Sequence, residues 1–337
     1  MKYLLITGSY PPDICGVGDY TSKLMARASD DWELYYDTNW KISSIMKHLK
    51  KINSTNSDVI FLQYPTQGYG WSLVPQILCL YYSFFSKKKF IVVLHEFSQR
   101  KFKAKLATSF LMLANKIIFT TKYEQDFSKK KFPWIKDKCS VIKILSNINT
   151  PSRLNPLNKR SYDICYFGHL RPNKGLECFF KTVKRLHPKP NELKIIIIGQ
   201  LLPEFSKYFE TLQNEYRTLN IRYFLNQRDV EVSNLLNNTK IAYLPFPDGL
   251  SERRGSLLAA IANGCIPVST EGQFTTKELR DMSIIVDEYN SHIKIQELLA
   301  TMSDDSYNSF QSRIKEYQKT LPSNWDEIRL SYIKATQ

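Results

Sequence analysis

Short continuous apolar runs recur along the chain, separated by stretches in which apolar positions return with a helical period. In the first half the runs are YLLIT (3–7), DVIFLQY (58–64), FIVVLHEF (90–97), KIIFTT (116–121) and SVIKIL (140–145). In the second half they are YDICYFG (162–168), LKIIIIG (193–199), IRYFL (221–225), IAYLPF (241–246), IPVST (266–270) and SIIVD (283–287). Helical patterns lie between them, notably over 18–28 and 101–115. Strands that are apolar throughout, alternating with helices, predict parallel sheets covered on both faces. The alternation stops and restarts at NINTPSRLNPLNKRS (147–161), a polar stretch with two prolines that reads as a linker. The expected fold class is therefore α/β, with two doubly wound domains that bind ligands at the carboxyl ends of their strands.

A chain of 337 residues is long enough for two such cores, and 43% apolar and 13% aromatic content excludes disorder. The net charge of +15 is unevenly placed: residues 1–155 hold 23 Lys and Arg against 11 Asp and Glu, giving +12, and the remainder holds 24 against 21, giving +3. That asymmetry points to an anionic partner (a membrane surface, a phosphorylated substrate or nucleic acid), with general solubility as the plain alternative. Basic residues are not interleaved with any nucleic-acid recognition motif, which disfavours nucleic acid. The cysteines at 15, 79, 139, 165, 178 and 265 lack metal-type spacing and read as free thiols in a reducing compartment. The first apolar run is too short for a signal peptide. The longest, LVPQILCLYYSFF, has 13 residues, below the roughly 20 a spanning helix needs. A cytoplasmic protein that at most lies on a membrane is the expectation.

Five stretches carry candidate chemistry. GSYPPDICGVGDYT (8–21) follows the first strand, with Gly16 and Gly18 permitting close backbone approach and a helix expected to begin near Asp19. Such a loop can bind an anion through helix N-terminal amides, although it has neither dinucleotide nor P-loop spacing and also suits an ordinary turn. In VVLHEFSQR, His95 ends a very apolar strand, a position suited to ligand contact or to capping the next helix. In YFGHLRPNKGLECFF, Arg171 and Lys174 head a helix, where paired cations suit a diphosphate or are merely solvated. In PDGLSERRGSLLAAIANGCIPVST (247–270), Arg253 and Arg254 precede Gly255, Ser256 and Leu257, with Ser256 a plausible helix cap. The amides of 255–257 and the two arginines suit a phosphorylated ligand; pairing of the arginines with Asp248 and Glu252 is the structural alternative. Finally, SQRKFKAKLATSFLMLANK (98–116) and FFSKKKF (84–90) together suit anionic lipid, or a helix with a solvated basic end.

The N-terminal glycine loop, His95 in VVLHEF, FGHLRPNKGLE, the IIIIGQ strand and the final NWDEIRLSYI together resemble the GT-B glycosyltransferases, most closely the retaining family 4-like enzymes. The resemblance covers nearly the whole chain and implies two Rossmann-like domains facing each other across a cleft. It implies an acceptor domain over 1–150, a nucleotide-sugar donor domain over 151–320, and a helix over 321–337 crossing back to the first. Lys174 matches the family's diphosphate lysine; His169 stands where an arginine usually follows the loop glycine, making Arg171 the substitute. His95 matches the histidine near the donor sugar, and Gly16 and Gly18 match the loop approaching diphosphate and acceptor. The stretch LNQRDVEVSNLL (225–236) matches the base-binding region, through backbone groups near Arg228. The family's paired glutamates, eight positions apart, fall on Ser251 and Ala259, with Glu252 and Asp248 close to the first and nothing acidic at the second. The DGLSERRGSLLAA stretch also resembles a variant of bacterial polysaccharide-assembly transferases.

The resemblance thus implies a metal-independent, retaining hexosyl transfer in cell-surface polysaccharide assembly. The nucleotide-sugar is a substrate, no cofactor is expected, and the acceptor is a saccharide or a lipid-linked one. Asp19 and Glu96 are the candidates for the acceptor's proton by position alone. A non-catalytic GT-B binding or scaffold protein at the membrane is the main alternative, supported by the absent glutamates. A sugar-nucleotide epimerase is a further one, disfavoured because its acidic residues have no place here.

Overall fold

A computed structural model describes residues 1–186 and 192–337. They divide into two compact units, Met1–Leu145 with Pro322–Gln337, and Ser146–Leu321. Each is built on one six-stranded, all-parallel sheet with helices packed on it. The two-sheet α/β architecture read from the apolar runs is the one observed.

In the first unit the strands are β1 (Tyr3–Thr7), β2 (Trp32–Tyr36), β3 (Val59–Tyr64), β4 (Lys89–Leu94), β5 (Lys116–Phe119) and β6 (Cys139–Val141), in the order β2-β1-β3-β4-β5-β6. All residues of β1 and β3 are buried, as strands covered on both faces must be. β2 escaped the sequence reading because it is an edge strand: in WELYY only Trp32 and Tyr35 are buried and Glu33 is exposed, so no continuous apolar run marks it. The helix Trp325–Lys334 buries Ile328 and Tyr332 against Tyr20, Leu24, Phe61 and Val93, in the core of this unit.

In the second unit the strands are β7 (Tyr162–His169), β8 (Ile195–Gln200), β9 (Ile221–Leu225), β10 (Thr239–Leu244), β11 (Ile266–Thr270) and β12 (Ile284–Val286), ordered β12-β11-β10-β7-β8-β9. The chain builds outward from β7 through β8 and β9, then returns to lay β10 on the other side of β7. In a doubly wound sheet that reversal opens a crevice at the carboxyl ends of β7 and β10, where the connecting loops diverge. The first unit reverses in the same way between β1 and β3.

Two local expectations are corrected. The first helix runs over Gly16–Met25 and starts three residues before Asp19, so Gly16 and Gly18 belong to its first turn rather than to the preceding loop. The stretch 101–115 is not one helix: an α-helix over Phe102–Ser109 tightens into a 3-10 turn over Phe110–Leu113. All six cysteines are free thiols, and Cys15, Cys79, Cys165 and Cys265 are buried. No helix among the described residues is long and apolar enough to cross a membrane.

Candidate functional site

The crevice of the second unit is set by glycines that let backbones touch. Gly175 (φ +81°) caps the helix Leu176–Arg185, and a Cβ there would lie 1.9 Å from the Pro245 carbonyl oxygen. The loop after β7 and the loop after β10 are therefore in backbone contact, which no residue with a side chain permits. Below them, the Tyr166 hydroxyl donates to the Lys174 carbonyl at 3.0 Å and holds the β7 loop over its own strand. Burial and Glu177 push the Tyr166 phenol up, while Arg171 and Arg254 both pull it down. One hydroxyl thus feels cations from two loops. Burial, Lys174 and Arg171 in turn lower His169 to about 4, so its ring is neutral at physiological pH. Arg171, Lys174 and Arg254 gather at the point where the topology opens the sheet.

Arg254 lies over the Phe246 ring, 4.6 Å from its centroid, and pairs with Asp248, so the structural pairing foreseen for this arginine is present. Arg253 lies 5.3 Å over Phe274. The helix Gly255–Ala262 takes its N-cap from Arg254 without any side-chain cap. Ser256 is therefore not the cap; it sits inside the first turn, because the chain already enters the helix at Gly255. The amides of Gly255, Ser256 and Leu257 precede the first intrahelical bond, and the helix dipole adds positive potential there. Gly255 is exposed, and no atom lies within 4 Å of where its Cβ would be, so this terminus faces open space. Gly249 (φ +80°) and Gly272 approach backbone to backbone and pin the loop from below: a Cβ on Gly249 would lie 2.2 Å from the Gly272 nitrogen.

Ser251 is buried, and its hydroxyl makes no hydrogen bond among the described residues. Glu252 is also buried; the Tyr317 phenol is pushed up first by its own burial and then by the carboxylates of Glu252 and Glu278. That ties Glu252 to the helix Asp304–Gln318. Arg228 is not gathered with the other cations: it caps the helix Asp229–Asn237 beyond the edge strand β9, and its exposed guanidinium pairs with Glu231.

In the first unit, Gly18 is buried and a Cβ there would come within 2.9 Å of the Ser9 carbonyl oxygen, whereas Gly16 meets nothing within 4 Å. Asp19 is half-buried in that first turn, and Glu96 is half-buried beside His95. His95 lies just past the end of β4. Its amide donates to the Tyr64 carbonyl at 2.8 Å, its Nε2 meets Gln63 Oε1 at 2.7 Å, and its ring packs edge-to-face with Tyr20, centroids 5.3 Å apart. Burial lowers it to about 4, so this imidazole too is neutral. Gln63, Tyr20 and Tyr332 were not singled out from sequence, where they read as strand or helix interior.

The same unit carries an exposed apolar stripe. Phe102, Leu106 and Phe110, spaced four apart, are 82%, 58% and 48% exposed. Lys105 and Lys131 reach over Phe127, at 5.5 and 5.0 Å, and link this helix to the Lys129–Lys131 run. Exposed Trp134 follows, its ring 5.2 Å from Phe132. Residues 100–138 hold eleven Lys and Arg against three Asp and Glu, a net +8.

Among the described residues no group of three or more His, Cys, Asp or Glu is placed to hold a metal. A family model described as glycosyl transferases group 1 matches residues 149–321. No curated protein matches the chain. Among solved structures, Anabaena HepE in complex with UDP and glucose is similar at a TM-score of 0.71 and 12% identity, over 100% of this chain and 99% of that one. WaaG, a glycosyltransferase involved in lipopolysaccharide biosynthesis, is similar at 0.63 and 12%, over 98% of each. A mutant of S. aureus TarM, in complex with Fondaparinux, alpha-GlcNAc-glycerol and UDP, is similar at 0.61 and 13%, over 86% of this chain. This chain spans only 58% of TarM's length. At these identities the likeness is one of fold.

Proposed function

We infer that this chain, which belongs to the glycosyl transferases of group 1 and has the GT-B fold, moves a sugar from a nucleotide-sugar donor to a saccharide or lipid-linked acceptor in cell-surface polysaccharide assembly. The observation that carries this reading is the backbone contact of Gly175 with Pro245, which brings the loop of Arg171 and Lys174 against the loop of Arg254 at the β7–β10 crevice, beside the open N-terminus of the helix Gly255–Ala262. Three cations and three unpaired-ladder amides match the charge that builds on a departing nucleoside diphosphate. Fixed dipoles and cations of this kind lower a barrier because they need no reorganisation as the charge develops. Arg253, Ser251 and Glu252 complete the donor loop, and the backbone near Arg228 holds the base.

Neutral His95 accepts a hydrogen bond from the donor sugar and does not act as its acid. Gly16 lets the first helix approach the diphosphate and acceptor, with Gly18 seating that turn against the Ser9 backbone, and Asp19 or Glu96 takes the acceptor's proton. Retention follows from front-face departure and attack, with His95 and backbone dipoles stabilising the oxocarbenium-like sugar. The charge work is assigned to arginine, lysine and helix dipole, so the mechanism calls for no metal and no cofactor. Acting at the cytoplasmic membrane face, the first unit rests on anionic lipid through the Phe102, Leu106 and Phe110 stripe and its basic surround.

The test is transfer from a panel of nucleotide-sugars to lipid-linked acceptors by the purified protein. Release of nucleoside diphosphate coupled to acceptor glycosylation supports the reading; turnover with no donor in a broad panel removes it. The second reading, a non-catalytic GT-B scaffold, is favoured by Ser251 and Ala259 standing where the family's glutamates are expected. Lys174→Ala separates the two, since a scaffold keeps its cellular role and a catalyst loses it.

A further inference from the structure

Behind His95 stands a buried hydrogen-bond chain that the transfer chemistry above does not use. Gln63 has no exposed surface, and its side chain bridges two partners. Its Oε1 lies 2.7 Å from His95 Nε2, and its Nε2 donates to the Tyr332 hydroxyl at 3.4 Å. Tyr332, from the helix Trp325–Lys334, is fully buried and meets the Tyr20 hydroxyl at 3.1 Å. The Tyr20 ring in turn packs edge-to-face with the imidazole, closing the group on itself.

An amide oxygen only accepts, so a histidine nitrogen facing it must carry the proton. We infer that Gln63, held in orientation by Tyr332, is a positioning residue that fixes His95 as the Nε2-protonated tautomer and leaves Nδ1 as an acceptor. The inference rests on the reading of His95 as the contact to the donor sugar, and it says which hydrogen bond that contact is. Nδ1 takes a hydrogen from a sugar hydroxyl and has none to give. The low pKa of the ring agrees, since a neutral imidazole retains the lone pair this role requires. Helix Trp325–Lys334 thereby acts on the site through one side chain, 269 residues from Gln63 in sequence, as well as through core packing. In metal sites the partner of a histidine's second nitrogen fixes tautomer and ring orientation in the same way.

Nitrogen-15 NMR of the imidazoles, in the full-length wild type, Gln63→Leu, Gln63→Glu and Tyr332→Phe, tests this without relying on turnover. In the wild type the His95 Nε2 proton is expected to be visible and slow to exchange, with Nδ1 of the unprotonated type. Gln63→Leu loses that protection, and Gln63→Glu, which still offers only acceptor oxygens, restores it. Tyr332→Phe keeps the ring's shape and frees the amide to turn, so the single tautomer becomes a mixture. A wild-type His95 protonated on Nδ1, or a Gln63→Leu protein with the Nε2 proton still protected, overturns the inference. Turnover is read separately: Gln63→Leu is expected to lose roughly tenfold in kcat/KM, the effect of one misplaced neutral hydrogen bond. Unchanged turnover alongside the expected spectra removes the sugar-contact role of His95 and leaves the tautomer assignment standing.

Discussion

Replacing Gly175 with alanine strikes the contact on which the donor crevice is built. The backbone there has φ +81°, and the new methyl would sit 1.9 Å from the Pro245 carbonyl oxygen. A left-handed conformation costs a residue with a side chain roughly 1–2 kcal/mol, and forcing a methyl into a filled space costs about 1–3 more. The obstacle is backbone, so no rotamer change relieves it and the loops after β7 and β10 must part. The expected loss is roughly 2–5 kcal/mol, which for a unit of 176 residues (146 to 321) lowers its melting midpoint by about 5–15 °C. Scanning calorimetry reads this directly. Gly16→Ala is the control: it lies in a helix with nothing within 4 Å of the new methyl, so its midpoint is expected to hold or rise slightly. If Gly175→Ala melts within a degree or so of the wild type, the close approach of the two loops is wrong, and the convergence of Lys174 with Arg254 falls with it.

His169 predicts a pH dependence. Its folded pKa of about 4 lies below the ordinary 6.5, so its contribution is complete above pH 6.5 and is lost as the unfolded chain takes up the proton at lower pH. Between pH 7 and pH 5 this amounts to about 2 kcal/mol, and His169→Asn is expected to narrow the fall in melting midpoint over that range; an unchanged fall contradicts the burial and cation effects assigned to it. On the membrane side, Phe102→Asp with Leu106→Asp is expected to abolish sedimentation with vesicles containing anionic lipid while leaving the melting midpoint unchanged. Equal binding by wild type and variant removes the stripe as the docking surface.

The sheets were legible because parallel strands covered on both faces must be apolar throughout, and YLLIT or IIIIG has few other uses. β2 was not, because Glu33 breaks its run at the sheet edge. Arg171 and Lys174 stand out locally as cations at a strand-to-helix junction. That Arg254 shares their field depends on β10 lying beside β7, a fact of topology set by nothing within either loop. The helix starts slipped for a local reason: Gly16 and Gly255 enter helices without a side-chain cap, so the polar residue that usually marks the boundary is missing or displaced. Gln63 gave no signal at all, since a glutamine within FLQY acquires meaning only from Tyr332 at the other end of the chain.

The central claim is that cations of the second unit hold the diphosphate of a nucleotide-sugar, and calorimetric titration with nucleoside diphosphates tests it most directly. One of UDP, GDP or ADP is expected to bind the wild type, with affinity falling at least tenfold in Lys174→Ala and again in Arg254→Ala at unchanged melting midpoints, the scale of a lost charge-assisted hydrogen bond of about 1.5–3 kcal/mol. Binding to neither wild type nor variants, or equal binding to all three proteins, would contradict the account.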